Sequence, residues 1–208
     1  MMRFVPPSSR PPPHPPARAA EDAALAARIA RGDRAALEQA YRREAAAVYR
    51  YALALCANPG WAADATQDAF VALASQAHGF DAARGTLGAW LAGIARHTLL
   101  AQWRRETGQV PLDDADDEGT GAPAPGTTFD DTPETLLVRT QSGERIWAAV
   151  RRLPVRFREA LVLVDLQERP YAEAARIAGI ETNTLRTRLH RARTRLAALL
   201  DDDPGVTR

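Results

Sequence analysis

Residues 171–195 read YAEAARIAGIETNTLRTRLHRARTR, and the meaning of this stretch decides how the rest of the chain is organised. A helical run from Tyr171 to Ala178 stops at Gly179, a residue that tolerates the left-handed backbone of a tight interhelical turn. Thr182 carries a hydroxyl able to cap a second helix. On that helix Leu185, Leu189, Ala192, Leu196 and Leu199 recur at i, i+4, i+7, i+11 and i+14, which predicts one buried face. The opposite face carries Asn183, Thr187, His190, Arg191 and Thr194, with Arg186 at its edge. This is the pattern of a helix-turn-helix whose second helix enters a DNA major groove. An amphipathic helix pair with a solvated basic face has the same spacing, so the stretch alone leaves both readings open.

Charge segregation favours a polyanion partner. The net charge of the 208 residues is only +1, and all 27 basic residues are Arg, with no Lys. Residues 151–195 hold 11 Arg against five acids, net +6, whereas 106–140 hold nine acids against one Arg, net −8. A basic module beside an acidic connector is the electrostatic footprint of phosphate binding. Arg throughout suits phosphate forks and guanine edges, although a compositional bias toward Arg and Ala accounts for most of the missing Lys.

With 46% hydrophobic residues the chain can build real cores, and its length suits one large or two small domains. No apolar run approaches the ~18 residues of a membrane span, and residues 1–16 contain no apolar segment of signal-peptide length. Cys56 is the single cysteine, sits among Leu53, Leu55 and Ala57, and reads as a small core residue. A cytoplasmic location without membrane insertion is expected.

From the amino terminus, residues 1–20 are expected to be a disordered proline-rich extension. Glu21 to Ala57 reads as helices, broken at Gly32-Asp33, where Asp33 caps the next helix. Leu37, Tyr41, Val48, Ala52 and Leu55 are assigned to its inner face, and Asn58-Pro59-Gly60 is a turn. A third helix, about 61–77, buries Phe70, Leu73 and Ala77 and shows a second face of Asp64, Gln67, Asp68 and Val71. Such a face is either solvated or a docking surface for a basic partner helix.

A fourth helix is expected from about Thr86 to Arg105, with Leu87, Trp90, Leu91, Ile94, Thr98 and Ala101 inward. Arg96, Leu99, Leu100 and Trp103 are then outward, followed by Arg104 and Arg105, a mixture suited to stacking on unpaired bases. The alternative is that another helix covers Leu99 and Leu100. Residues 106–140 are expected to be a flexible, self-repelling acidic linker between two independent domains. Residues 141–202 are helical again: Ile146, Val150 and Leu153 on one face, then Phe157, Leu161 and Val164, with 203–208 a tail. No strand pattern, Gly-rich phosphate loop, metal-ligand spacing or Ser/His/Asp grouping is present. The chain is therefore predicted to be all-α, to need no metal or other cofactor, and not to be an enzyme.

Taken together, GDRAALEQAYRRE, DATQDAFVALASQAHGFDAARGTLGAWLAGIARHTL and RRLPVRFREALVLVDLQERPYAEAARIAGIETNTLRTRLHRARTRL resemble a bacterial RNA polymerase sigma factor. The resemblance is to the extracytoplasmic-function (ECF) subfamily of the sigma-70 family, over about 21–105 and 141–200. It implies a region 2 helical bundle and a region 4 helix-turn-helix, and an alternative sigma factor that binds core polymerase and directs initiation. Asp64, Gln67, Asp68 and Val71 match the face that docks on the clamp coiled coil of the polymerase's largest subunit. The second subunit's flap and an anti-sigma factor are further implied partners, with promoter DNA. Phe80, Arg84, Trp90, Arg96, His97, Leu100, Trp103 and Arg104 match the −10 and melting element. Asn183, Arg186, Thr187, His190 and Arg191 match the −35 recognition helix.

This sequence departs from the family at several positions: Ala63 precedes Asp64 where two acids usually stand, His97 replaces the usual Asn, Ala101 a frequent Asp, and Asn183 a common Gly. Two other readings share the helix-turn-helix: a sigma mimic that sequesters an anti-sigma factor, and a stand-alone transcription regulator. The intact basic recognition helix disfavours the mimic, and a regulator would need residues 20–105 to supply a dimer interface or ligand pocket.

Overall fold

The computed structural model describes residues 16–107 and 141–201, and these are all-α, with no strand among them. The expected extension over 1–15, most of the acidic linker (108–140) and the tail lie outside the described residues. Helix α1 spans Pro16–Ala30, α2 Arg34–Cys56, α3 Pro59–Gln76 and α4 Leu87–Thr107. The second segment holds α5 (Gln141–Arg152), α6 (Val155–Leu161, continued by a wider turn over Val162–Leu166), α7 (Tyr171–Ala178) and α8 (Thr182–Asp201).

Helix ends follow local chemistry. Residues 16–20, expected in the extension, are instead the first turn of α1: Pro16 stands at its start and Ala17, Ala19 and Ala20 are strong helix formers. Asp33 caps α2 by accepting the Ala36 N–H at 3.1 Å. Asn58 caps α3 in the same way through Trp61 N–H, also at 3.1 Å. Gly179 adopts φ 65°, ψ 33°, and its successor Ile180 donates back to the Ala175 carbonyl at 3.0 Å. This left-handed cap closes the helix-turn-helix turn. Helix α8 starts with Thr182 as its first helical residue, so the cap position falls one residue earlier, at Glu181, whose carbonyl accepts from Leu185 N–H.

In the first segment α2, α3 and α4 pack mutually, with α1 across them. The core face of α2 holds Val48, Ala52 and Leu55 as expected, with Leu37 half-buried against it, but Ala36, Ala40 and Tyr51 complete it in place of Tyr41. Tyr41 is 53% exposed and rests on the Phe70 ring, centroids 4.8 Å apart. The face of α4 is also corrected. Leu99, Leu100 and Trp103, expected outward, are core residues at 0, 8 and 1% exposure. The buried stripe is Leu91, Ala92, Ala95, Leu99 and Trp103, and its small alanines let the helices approach closely enough to cover the large residues. Trp90, Ile94, Thr98 and Ala101 are only half-buried. In the second segment Val150, Leu153, Phe157 and Leu161 are buried as expected, but Ile146 is exposed.

The two segments pack against each other through α4 with α7 and α2 with α6, so one buried apolar cluster runs through both. This is not the loosely tethered pair expected from the acidic connector.

Candidate nucleic-acid interface

Helix α8 sorts its side chains cleanly. Leu185, Leu189 and Ala192 are at most 2% exposed and anchor it on α5, α6 and α7. Asn183, Arg186, Thr187, His190 and Arg191 are all exposed, on the side away from that anchor. Arg186 donates to Asn183 Oδ1 at 3.0 Å, and its guanidinium carbon lies 5.7 Å from the Tyr171 ring centroid. Thr187 donates its hydroxyl proton to the Asn183 carbonyl at 3.1 Å. These contacts hold the side chains without burying them. Arg193, by contrast, forms a two-pronged, exposed pair with Asp165 at 2.9 and 2.6 Å, which ties α8 to the end of α6 and pairs that charge at the surface. The surface therefore presents hydrogen-bonding groups and guanidinium forks on a rigid helix of about 30 Å, dimensions that suit a major groove.

A second surface lies on α3, where Asp64, Gln67, Asp68 and Val71 are all exposed and Val71 is 59% so. Asp64, Gln67 and Asp68 share a polar depression of about 310 Å³ with Thr98, Gln102 and Arg105 of α4. The sequence reading missed those three residues on α4. Their spacing, i, i+4 and i+7 with polar side chains throughout, was the available signal, obscured by placing Thr98 inward.

The third group surrounds the loop before α4. Phe80 and Trp90 meet edge to face, centroids 6.3 Å apart, and both are half-buried. Arg84, His97 and Arg104 are exposed. Leu100 and Trp103 are not available to a base, because they are inside the bundle, where Trp103 meets Trp61 edge-on at 6.4 Å. Arg96 is turned inward too: its Nε donates to Glu159 of α6 at 2.7 Å. The same Glu159 oxygen accepts the Tyr51 hydroxyl at 2.7 Å. Burial, then the neighbouring carboxylate, raises the Tyr51 phenol well above its ordinary pKa.

Comparison with known proteins settles the family. The Sigma-70 region 2 family matches residues 40–109 and the Sigma-70 region 4 family matches residues 143–196. The ECF RNA polymerase sigma factor SigM of Mycobacterium tuberculosis is 33% identical over 183 residues, 86% of this chain and 84% of the relative. The chain belongs to the ECF RNA polymerase sigma factors. The ECF sigma factor SigE of Mycolicibacterium smegmatis is 31% identical over 80% of this chain, which spans 63% of that longer relative. Among solved structures, CnrH in complex with the cytosolic domain of CnrY superposes with a TM-score of 0.62 at 26% identity, covering 88% of this chain and 98% of that one. The sigma factor RpoE of Bartonella quintana, bound to the anti-sigma factor NepR, gives 0.58 at 25% identity, covering 80% and 97%.

Within this sigma factor, the α8 surface lies in region 4, and the α3 and α4 surfaces lie in region 2. No helix among the described residues is long and apolar enough to cross a membrane.

Proposed function

We propose that this sigma factor binds core RNA polymerase through α3, reads a −35 element with α8, and reads and helps to melt a −10 element with the loop before α4 and the exposed residues of α4. The chemistry of RNA synthesis belongs to the core enzyme. The observation that carries the reading is the α8 surface: Asn183, Arg186, Thr187, His190 and Arg191 are exposed together, opposite the buried Leu185, Leu189 and Ala192. Asp64, Gln67, Asp68 and Val71 are the residues for the clamp coiled coil of the largest subunit, with region 4 meeting the flap of the second subunit. Phe80, Arg84, Trp90, His97 and Arg104 remain as −10 contacts, and Arg96 joins them once it is free of Glu159. An anti-sigma factor is the expected regulator, and the protein works in the cytoplasm with the polymerase.

Transcription from promoter fragments with purified core enzyme tests this. Arg186→Ala or Arg191→Ala is expected to lower −35-dependent initiation by about 5- to 150-fold, the equivalent of ~1–3 kcal/mol per base contact, without changing core affinity. An equal loss of core affinity would move these residues off the DNA face. Tight core binding with no initiation from any promoter fragment would favour the mimic.

A further inference from the structure

We infer that Asp22 of α1 is a positioning residue for −10 reading: its buried carboxylate ties the first turn of α4 to α1, and so sets the pose of Trp90 and of the loop before α4. The inference rests on the proposed assignment of −10 reading to that loop and helix.

Asp22 occupies a position where a carboxylate is costly. With Leu25, Ala26 and Ile29 it forms the inward stripe of α1, at i, i+3, i+4 and i+7, and it is 0% exposed. An apolar residue would bury there without an electrostatic cost, whereas a charge must be paired and hydrogen-bonded to be held inside. Both oxygens are engaged. Oδ2 accepts the N–H of Leu87, the first residue of α4, at 2.8 Å, and Oδ1 accepts from the Arg43 guanidinium. Arg43 Nε donates in turn to Glu44 Oε1 at 2.8 Å. Glu44, 4% exposed, lies against the same turn of α4, where a Cβ on Gly88 would collide with its Oε2. Two carboxylates, one from α1 and one from α2, therefore face the positive end of α4.

These contacts fix where α4 sits rather than whether it forms. The helix has its own cap, because Thr86 Oγ1 accepts the Ala89 N–H at 3.1 Å. The loop has its own turn, in which Asp81 Oδ1 accepts the Ala83 N–H at 2.9 Å. Neither of these local bonds ties the loop to the bundle. Helix α1 does so at both ends: it packs on the single 3-10 turn Ala77–Gly79, where the loop begins, and it holds Leu87, where the loop ends. Trp90 stands at i+3 from Leu87, one turn along the same side of α4, and meets Phe80 edge to face across the loop. A binding site works when its side chains are held to within about 0.5 Å by the shell behind them, and Asp22 belongs to that shell for this aromatic pair. The whole of α1 precedes residues 40–109, the span that the Sigma-70 region 2 family matches.

The test uses the full-length chain with core polymerase, well below the melting temperature of each variant. Asp22→Ala removes the acceptor, whereas Asp22→Asn keeps one for the Leu87 N–H and gives up the ion pair with Arg43. Strand opening at the −10 element is read by permanganate oxidation of unpaired thymines, together with core affinity and the cost of single substitutions in each promoter element. Asp22→Ala is expected to open the −10 element about tenfold less than the wild type, as a displaced contact group does, with core affinity unchanged. Substitutions in the −10 element are expected to cost this variant less than they cost the wild type, and those in the −35 element to cost both the same. Asp22→Asn is expected to recover most of the opening. A purely structural role would lower core affinity along with opening, or lower initiation evenly on every promoter variant. Either result overturns the proposal, as does normal opening by Asp22→Ala or an Asn variant as defective as the Ala one. Hydrogen exchange over residues 77–90 in the free chain is expected to rise in Asp22→Ala, and unchanged exchange would show that Asp22 does not hold the loop. If Trp90→Ala opens the −10 element normally, the −10 assignment fails instead, and the exchange still decides whether Asp22 holds the loop.

Discussion

Replacing Arg158 by Met puts the energetics of the interface to a quantitative test. Arg158 is 2% exposed, and desolvation pushes its guanidinium well below the usual arginine value, down to about 10. At ~1.4 kcal/mol per unit, holding that charge inside costs about 3 kcal/mol. Against this stand four carbonyl acceptors: Ala54 and Leu55 at 3.4 and 3.1 Å, Arg151 and Leu153 at 2.5 and 3.0 Å. All four lie where α2 and α5 end, so the charge also meets the negative ends of two helices. Charged hydrogen bonds contribute about 1.5–3 kcal/mol each, and the three at 3.1 Å or less outweigh the burial cost. Met fills similar space and donates nothing. Arg158→Met is therefore expected to destabilise the free chain by about 1.5–6 kcal/mol in urea unfolding, the difference of these opposing effects. A variant as stable as the wild type, or more so, would refute the reasoning, because it would mean that the carbonyls are satisfied without the guanidinium.

Three smaller perturbations follow from single residues. The Asp33 carboxyl is held below its ordinary value by the Ala36 N–H of the cap, and then by Arg28. Because its folded pKa is the lower one, its stabilisation is complete above pH ~4 and fades as pH falls through the folded value; Asp33→Asn is expected to flatten that part of the acid-unfolding profile. Ala57 closes α2 at φ 54°, a left-handed conformation that a Cβ resists, so Ala57→Gly is expected to raise stability by about 0.5–1 kcal/mol in thermal unfolding. Leu189, 2% exposed at the centre of the α8 anchor, is expected to cost about 2–5 kcal/mol on truncation to Ala, read from the same thermal unfolding.

How much of this was visible in the sequence depended on the size of the residues that face the core. Helix α8 was legible because Leu185 and Leu189 are large, oppose polar residues, and repeat over several turns. The cap at Asp33 and the turn at Gly179 were legible because they are local. Helix α4 was misread because its core stripe runs through Ala92 and Ala95, and a reading weighted toward bulky side chains rotates the helix away from them. Tyr41 and Ala40 exchange places on α2 for the same reason. The packing of one segment on the other was not legible at all: it is carried by Arg158, Glu159 and Glu173, which a pattern of polar and apolar residues places on the surface. The expected DNA residues on α8 are exposed, whereas of those on α4, Leu100 and Trp103 are core and Arg96 is engaged by Glu159.

The most direct measurement is the affinity of the purified protein for a promoter duplex with and without core polymerase. No sequence-specific complex is expected from the free protein, and a footprint over both elements is expected once the polymerase is added. Tight, specific binding of the duplex by the free protein alone would contradict this account.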